Sequence, residues 1–114
     1  MYLNSIGTAV PPRRYTKADC WGAFTASEWF GRLDARSHLI ARTVLGRDNG
    51  IEARHLAVDS LAEVFAIDPD TLHRRFVAHA PRLAADAGRA ALARAGLDAR
   101  DVDAVTVTTC TGYL

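Results

Sequence analysis

The feature that most constrains this chain is a long helical tract, opened by Asp68-Pro69-Asp70 and closed by Gly96, with a β-branched run at 102–109 close behind it. Leu72, Phe76, His79, Leu83, Ala87, Ala90 and Ala91 fall on one face of that tract at helical spacing. Such a stripe must be laid against a neighbour. Pro81 lies inside the tract, where it removes one backbone hydrogen bond and crowds the preceding turn at a cost of about 3 kcal/mol. A kink at Pro81, or two abutting helices, is therefore expected. Residues 82–95 are rich in alanine and permit close approach to a sheet. The run at 102–109 reads as a continuous strand buried on both faces, and a buried strand after a crossover helix favours a parallel neighbour.

The rest of the chain supplies the other layers of an α/β fold. Residues 2–10 alternate weakly and end at Gly7-Thr8-Ala9-Val10-Pro11-Pro12, a first strand closed by prolines that cannot continue a ladder. Thr16 is placed to cap one or two short helices over 17–33, whose Trp21, Phe24, Trp29 and Phe30 read as core. Asp34 is placed to cap a helix through Leu45, with Leu39, Ile40, Thr43 and Val44 as its apolar face and Gly46 near its end. Asp48-Asn49-Gly50 is turn chemistry. An extended segment at 51–58 and a short helical piece around 61–65 follow. Strand, helices, strand, long helix and strand form the order of one layered α/β domain over 1–114.

Composition excludes several classes. An apolar fraction of 49% and a charged fraction of 24% are those of a globular domain, and no stretch has the apolar length of a membrane span. A formal net charge of +1 argues against a nucleic-acid partner, and the excess of arginine over lysine reads as genome coding bias. The N-terminus has no basic region ahead of an apolar run, so a cytoplasmic location is expected. Two cysteines, Cys20 and Cys110, are too few for a disulfide framework and lack the spacing of a zinc site. Reduced thiols and no metal are expected, with Cys20 a small buried side chain. His55 and His79 read as packing or surface groups, and Arg54 as the partner of a carboxylate within the fold.

Chemistry concentrates at the C-terminal strand. Its run ends in Thr108-Thr109-Cys110-Thr111-Gly112-Tyr113, where hydroxyls and a thiol can face a ligand and Gly112 permits close backbone approach. Thr109, Cys110, Thr111 and Gly112 are the candidate substrate-binding residues.

Four segments resemble a known family, the thiolase-fold condensing enzymes, and within it most closely the type III polyketide synthases, the chalcone and stilbene synthases with their bacterial relatives. They are Ile6-Gly7-Thr8-Ala9-Val10-Pro11, Gly50-Ile51-Glu52-Ala53-Arg54-His55, Ala80-Pro81-Arg82-Leu83 with the alanine-rich helix after it, and Val107-Thr108-Thr109-Cys110-Thr111-Gly112-Tyr113. The resemblance spans nearly the whole chain but only about the first third of such an enzyme. It implies an acyltransferase that condenses an acyl-CoA starter with malonyl-CoA by decarboxylative Claisen chemistry, with coenzyme A thioesters as substrates and no cofactor. It further implies a cytoplasmic homodimer serving secondary metabolism, with Tyr113 and Leu114 near the dimer interface.

The resemblance places no catalytic residue in this chain. The family's nucleophilic cysteine belongs to a later Gly-Cys motif, and Cys110 matches a position that lines the starter pocket. Its coenzyme A contacts map to the residues before Gly50, where Asp48 and Val44 depart from the basic pattern and Arg42 and Arg47 are the candidate replacements. The chain alone is then expected to be inactive, a scaffold and pocket wall. Two rivals share these features: a ketoacyl-carrier-protein synthase of the third type, or a related condensing enzyme, and a non-catalytic α/β interaction module.

Overall fold

The computed structural model describes residues 2–47 and 50–109. The chain is mixed α/β and divides into two compact units, 1–10 with 68–114, and 11–67.

The unit formed by 11–67 is built on a two-stranded ladder, β1 (Arg13–Thr16) and β2 (Ala53–Leu56). The strands run antiparallel, with Arg13 opposite Leu56, Arg14 opposite His55, Tyr15 opposite Arg54 and Thr16 opposite Ala53. β2 falls within the extended segment expected at 51–58, whereas β1 lies beyond the prolines that were expected to end a strand. Its four residues carry too little apolar character to announce a strand, and their pairing with β2 makes them one. Between the strands run α1 (Lys17–Thr25), α2 (Glu28–Gly31) and α3 (Ala35–Gly46). Thr16 closes a capping box: its hydroxyl accepts from the Asp19 amide at 3.1 Å, and the Asp19 carboxylate accepts from the Thr16 amide at 2.8 Å. Asp34 caps α3 by accepting from the Ser37 amide at 2.6 Å.

Trp21, Phe24, Phe30, His38 and Phe65 make a ring cluster at the centre of this unit. Trp29 stands apart, with the Arg32 guanidinium 4.8 Å over its ring. The cluster also sets the rotation of α3, and here the structure corrects the pattern-based expectation. His38 stacks on Phe30 at 4.3 Å, and its Nε2–H donates to the Phe30 carbonyl at 2.8 Å. Ser37, His38, Ala41 and Leu45 therefore turn inward, and the expected apolar face is left largely in solvent, with Leu39 65%, Ile40 52% and Val44 56% exposed.

The other unit is organised by α4 (Pro69–Ala95), one continuous helix through Pro81. At about 1.5 Å per residue it is roughly 40 Å long. Two abutting helices are thus not formed. Pro81 sits at an exposed position, where solvent can satisfy the carbonyl its missing amide would have bonded. Asp68 caps the start by accepting from the Thr71 amide, and Gly96 ends the helix in the left-handed conformation, φ 67°. Leu83, Ala87, Ala90 and Ala91 are partly covered as expected, whereas Leu72 and His79 are exposed.

Residues 2–10 form no strand and instead lie against α4. Ser5 Oγ donates to the Ala91 carbonyl at 2.8 Å, and the Arg94 guanidinium donates to the Ile6 carbonyl at 2.7 Å. Just after these two anchors, Gly7 meets the helix backbone at Ala87 and Ala91. Residues 102–109 likewise form no strand, and all are exposed, which corrects the expectation of a strand buried on both faces beside a parallel neighbour. The ladder present among the described residues is antiparallel, and it pairs neither segment.

No described side chain is fully buried, and the accessible surface is 9038 Å². Even two separate folded units of half the mass would together expose only about 7,400 Å². No described helix is long and apolar enough to cross a membrane.

The caps make helix content depend on pH. Accepting from the Thr16 hydroxyl and amide lowers the Asp19 carboxyl, and the Ser37, Thr71 and Arg100 amides do the same for Asp34, Asp68 and Asp98. A carboxyl lowered in the folded state contributes above its unfolded value, and that contribution is lost as pH falls through the folded value. The helical signal at 222 nm should hold from neutral pH to about pH 5 and fall below about pH 4. Asp34→Asn with Asp68→Asn, which cap without titrating, should blunt the fall. A signal unchanged to about pH 2 would remove these caps from the account.

Candidate functional site

The sequence places its candidate substrate-binding residues at 109–112. Thr109 is exposed at the end of the segment that follows the short 3₁₀ turn Ala99–Asp101; Cys110, Thr111 and Gly112 lie outside the described residues. The candidate coenzyme A contacts sit at α3. Arg42 is exposed on its outer side and Arg47 is its C-cap, also exposed.

The structure adds a depression that neither arginine lines. Lys17, Cys20, Val44, Leu45, Ile51, Ala53 and Arg54 surround a small hollow of about 40 Å³ that opens to solvent. α1 contributes Lys17 and Cys20 from its first turn, α3 contributes Val44 and Leu45 from its last, and Ala53 and Arg54 come from β2. The backbone amide of Lys17 bonds to the Glu52 carbonyl at 3.3 Å, which carries the ladder one step past β1. That bond brings Lys17 and Arg54 together although they are 37 positions apart (54 less 17).

Two cations beside an apolar wall and a thiol suit an anionic group with a short apolar neighbour. Part of that charge is already engaged, because Lys17 Nζ donates to the Arg47 carbonyl at 2.7 Å, placing an ammonium at the negative end of α3. Arg54, expected to pair with a carboxylate, makes no ion pair among the described residues. Cys20 is a free thiol, half-covered rather than buried.

His55 stays with β2, its Nδ1–H donating to the Pro11 carbonyl at 2.8 Å, and His79 stands on the exposed side of α4. The sequence reading missed Lys17, because only the strand register brings a residue from the start of α1 beside β2. Among the described residues no group of histidine, cysteine and carboxylate side chains could hold a metal ion. No family model, curated protein or solved structure matches the chain.

Proposed function

We propose that the chain is the N-terminal part of a condensing enzyme of the type III polyketide synthase kind, a cytoplasmic homodimer that joins an acyl-CoA starter to malonyl-CoA. In this reading it supplies scaffold and pocket wall, with Thr109, Cys110, Thr111 and Gly112 lining the starter cavity. The observation that carries the reading is the order of the four motif segments along one chain. A contact supports it: Gly7, in the first segment, packs on Ala87 and Ala91 in the alanine-rich helix of the third.

The chemistry belongs to residues beyond this stretch. A cysteine thiolate takes the acyl group and releases the coenzyme A thiol. Loss of carbon dioxide from malonyl-CoA then leaves an enolate that attacks the thioester and expels the thiolate. Groups that hold the developing oxygen charge complete such a site. For the coenzyme A phosphates, Arg42 and Arg47 remain the proposed contacts, and Lys17 and Arg54 add two cations at the same end of α3.

Intact-mass measurement tests the assignment. The purified chain, 12.4 kDa, should gain no acyl adduct from a panel of acyl-CoA thioesters. Co-expressed with the downstream part of a type III polyketide synthase, it should form a soluble complex that takes the acyl group on the downstream cysteine. An adduct on Cys110 of the isolated chain would make that thiol the acyl carrier and overturn the pocket-wall role. Failure of the complex to form or to acylate would overturn the family reading.

A further inference from the structure

We propose that the outward face of α3 is a membrane-surface site, which lays Leu39, Ile40 and Val44 into the interface of an anionic bilayer while Arg36, Arg42 and Arg47 meet its headgroup phosphates. The proposal does not rest on the function argued above. It begins from the rotation of α3: His38 stacks on Phe30 and donates to its carbonyl, so Leu39, Ile40 and Val44 stand 65%, 52% and 56% exposed. Counted at about 100° per residue, these three side chains occupy one sector of roughly 140° on the helix surface. Arg36 and Arg47 fall within that sector at its two ends, about 16 Å apart along the axis, and Arg42 borders it on the Leu39 side.

Charge selects an anionic partner. No aspartate or glutamate occurs from 35 to 47. The ion pairs among the described residues involve Arg13, Arg32, Arg89 and Arg100, and the exposed side chains of Arg36, Arg42 and Arg47 join none of them. Lys17 adds a further cation at the C-terminal end of the helix, where its Nζ donates to the Arg47 carbonyl at 2.7 Å.

Shape and apolarity select lipid among the anions. Each aliphatic side chain is more than half exposed, so no wall rises beside the stripe to hold a peptide as a groove would. Nucleic acid offers phosphates but no apolar layer for Leu39 and Ile40 to enter. An anionic bilayer offers both in the order required, phosphates at the surface and acyl chains beneath them. A helix lying in that plane buries its apolar face while the arginine stems extend and keep their guanidiniums at headgroup level.

Flotation with lipid vesicles tests the proposal. The purified chain should float with vesicles of phosphatidylglycerol and phosphatidylcholine in equal parts about tenfold more than with phosphatidylcholine alone, and less as salt rises from about 50 to about 500 mM. Leu39→Gln with Ile40→Gln should weaken binding about tenfold while leaving the helical signal at 222 nm intact, since both side chains are already exposed. Arg36→Gln should weaken it about fivefold and flatten the salt dependence.

A reporter locates the contact. In chains carrying Cys20→Ser and Cys110→Ser, an environment-sensitive dye on Ile40→Cys should shift to the blue with anionic vesicles. The same dye on Val105→Cys, an equally apolar and exposed position of the other unit, should shift less. Four outcomes would overturn the proposal: no flotation, as when another polypeptide covers the stripe; equal flotation with neutral vesicles; a dye shift at Val105 that equals or exceeds the one at Ile40; or release by inorganic phosphate beyond that by chloride at equal ionic strength, which would make the arginines a site for a free anion.

Discussion

A Gly7→Ala chain is expected to lose the seating of residues 2–10 on α4, and with it about 3 kcal/mol, the upper end of what overpacking costs. A Cβ at this position would run into the Ala87 carbonyl oxygen and the Ala91 amide nitrogen, and would lie 3.0 Å from the Ala91 Cα. Those atoms belong to a helix backbone, so no flexible side chain can swing aside. The segment must lift, and it carries away the two bonds just before Gly7, Ser5 to the Ala91 carbonyl and Arg94 to the Ile6 carbonyl. Thermal unfolding at 222 nm should shift downward by more than about 10 °C for a unit of this size. Gly88→Ala, on the same helix, is the control. Its Cβ meets nothing within 4 Å, so relief of glycine's helix penalty should stabilise the chain by up to about 1 kcal/mol. One substitution at two glycines should thus act with opposite signs. A Gly7→Ala midpoint within about 2 °C of the parent would show that the segment is not seated in this way.

That contact marks the boundary between what could be read along the chain and what could not. Helix ends were legible because they are local: Thr16, Asp34, Asp68 and Gly96 act within three or four residues of themselves. Periodicity placed α4 and the direction of its alanine-rich half. It failed for α3, where an apolar stripe of Leu39, Ile40 and Val44 was turned outward. There a stack and a hydrogen bond from His38 to Phe30 decided the rotation, and a histidine carries little weight in a hydrophobic pattern.

Strands were the least legible elements because a strand exists only with a partner. The apolar runs at 2–10 and 102–109 resemble strands by composition, yet neither pairs among the described residues, while the polar Arg13–Thr16 becomes β1 because Ala53–Leu56 lies beside it. The same holds for the candidate site. Arg42 and Arg47 were found by their nearness in sequence to Gly50, whereas Lys17 reaches Arg54 only through the ladder. The candidate residues Cys110, Thr111 and Gly112 continue a segment whose described part finds no sheet here.

Truncation of Phe30 should be the most damaging single change in the unit formed by 11–67. Its ring lies 5.7 Å from Trp21 and 5.4 Å from Phe24, both edge-on, and stacks within 6° of parallel on His38. Phe24 in turn stacks on Phe65 at 6.3 Å, so Phe30 joins α1, α2, α3 and the turn at Leu61–Phe65 through one cluster. Phe30→Ala should cost about 3 kcal/mol, the low end for a core aromatic because the ring is only half-covered. Phe30→Leu, which keeps most of the volume, should cost about 1 kcal/mol. The stack itself can be isolated. The bond from His38 runs to the backbone carbonyl of residue 30, which survives truncation of the ring. In a cycle with His38→Ala, coupling between the two positions therefore reports ring against ring, and about 1 kcal/mol is expected. Denaturant unfolding followed by tryptophan emission measures all four chains. Additive losses would mean that His38 is held by its hydrogen bond alone, and the outward rotation of Leu39, Ile40 and Val44 would then owe nothing to the stack.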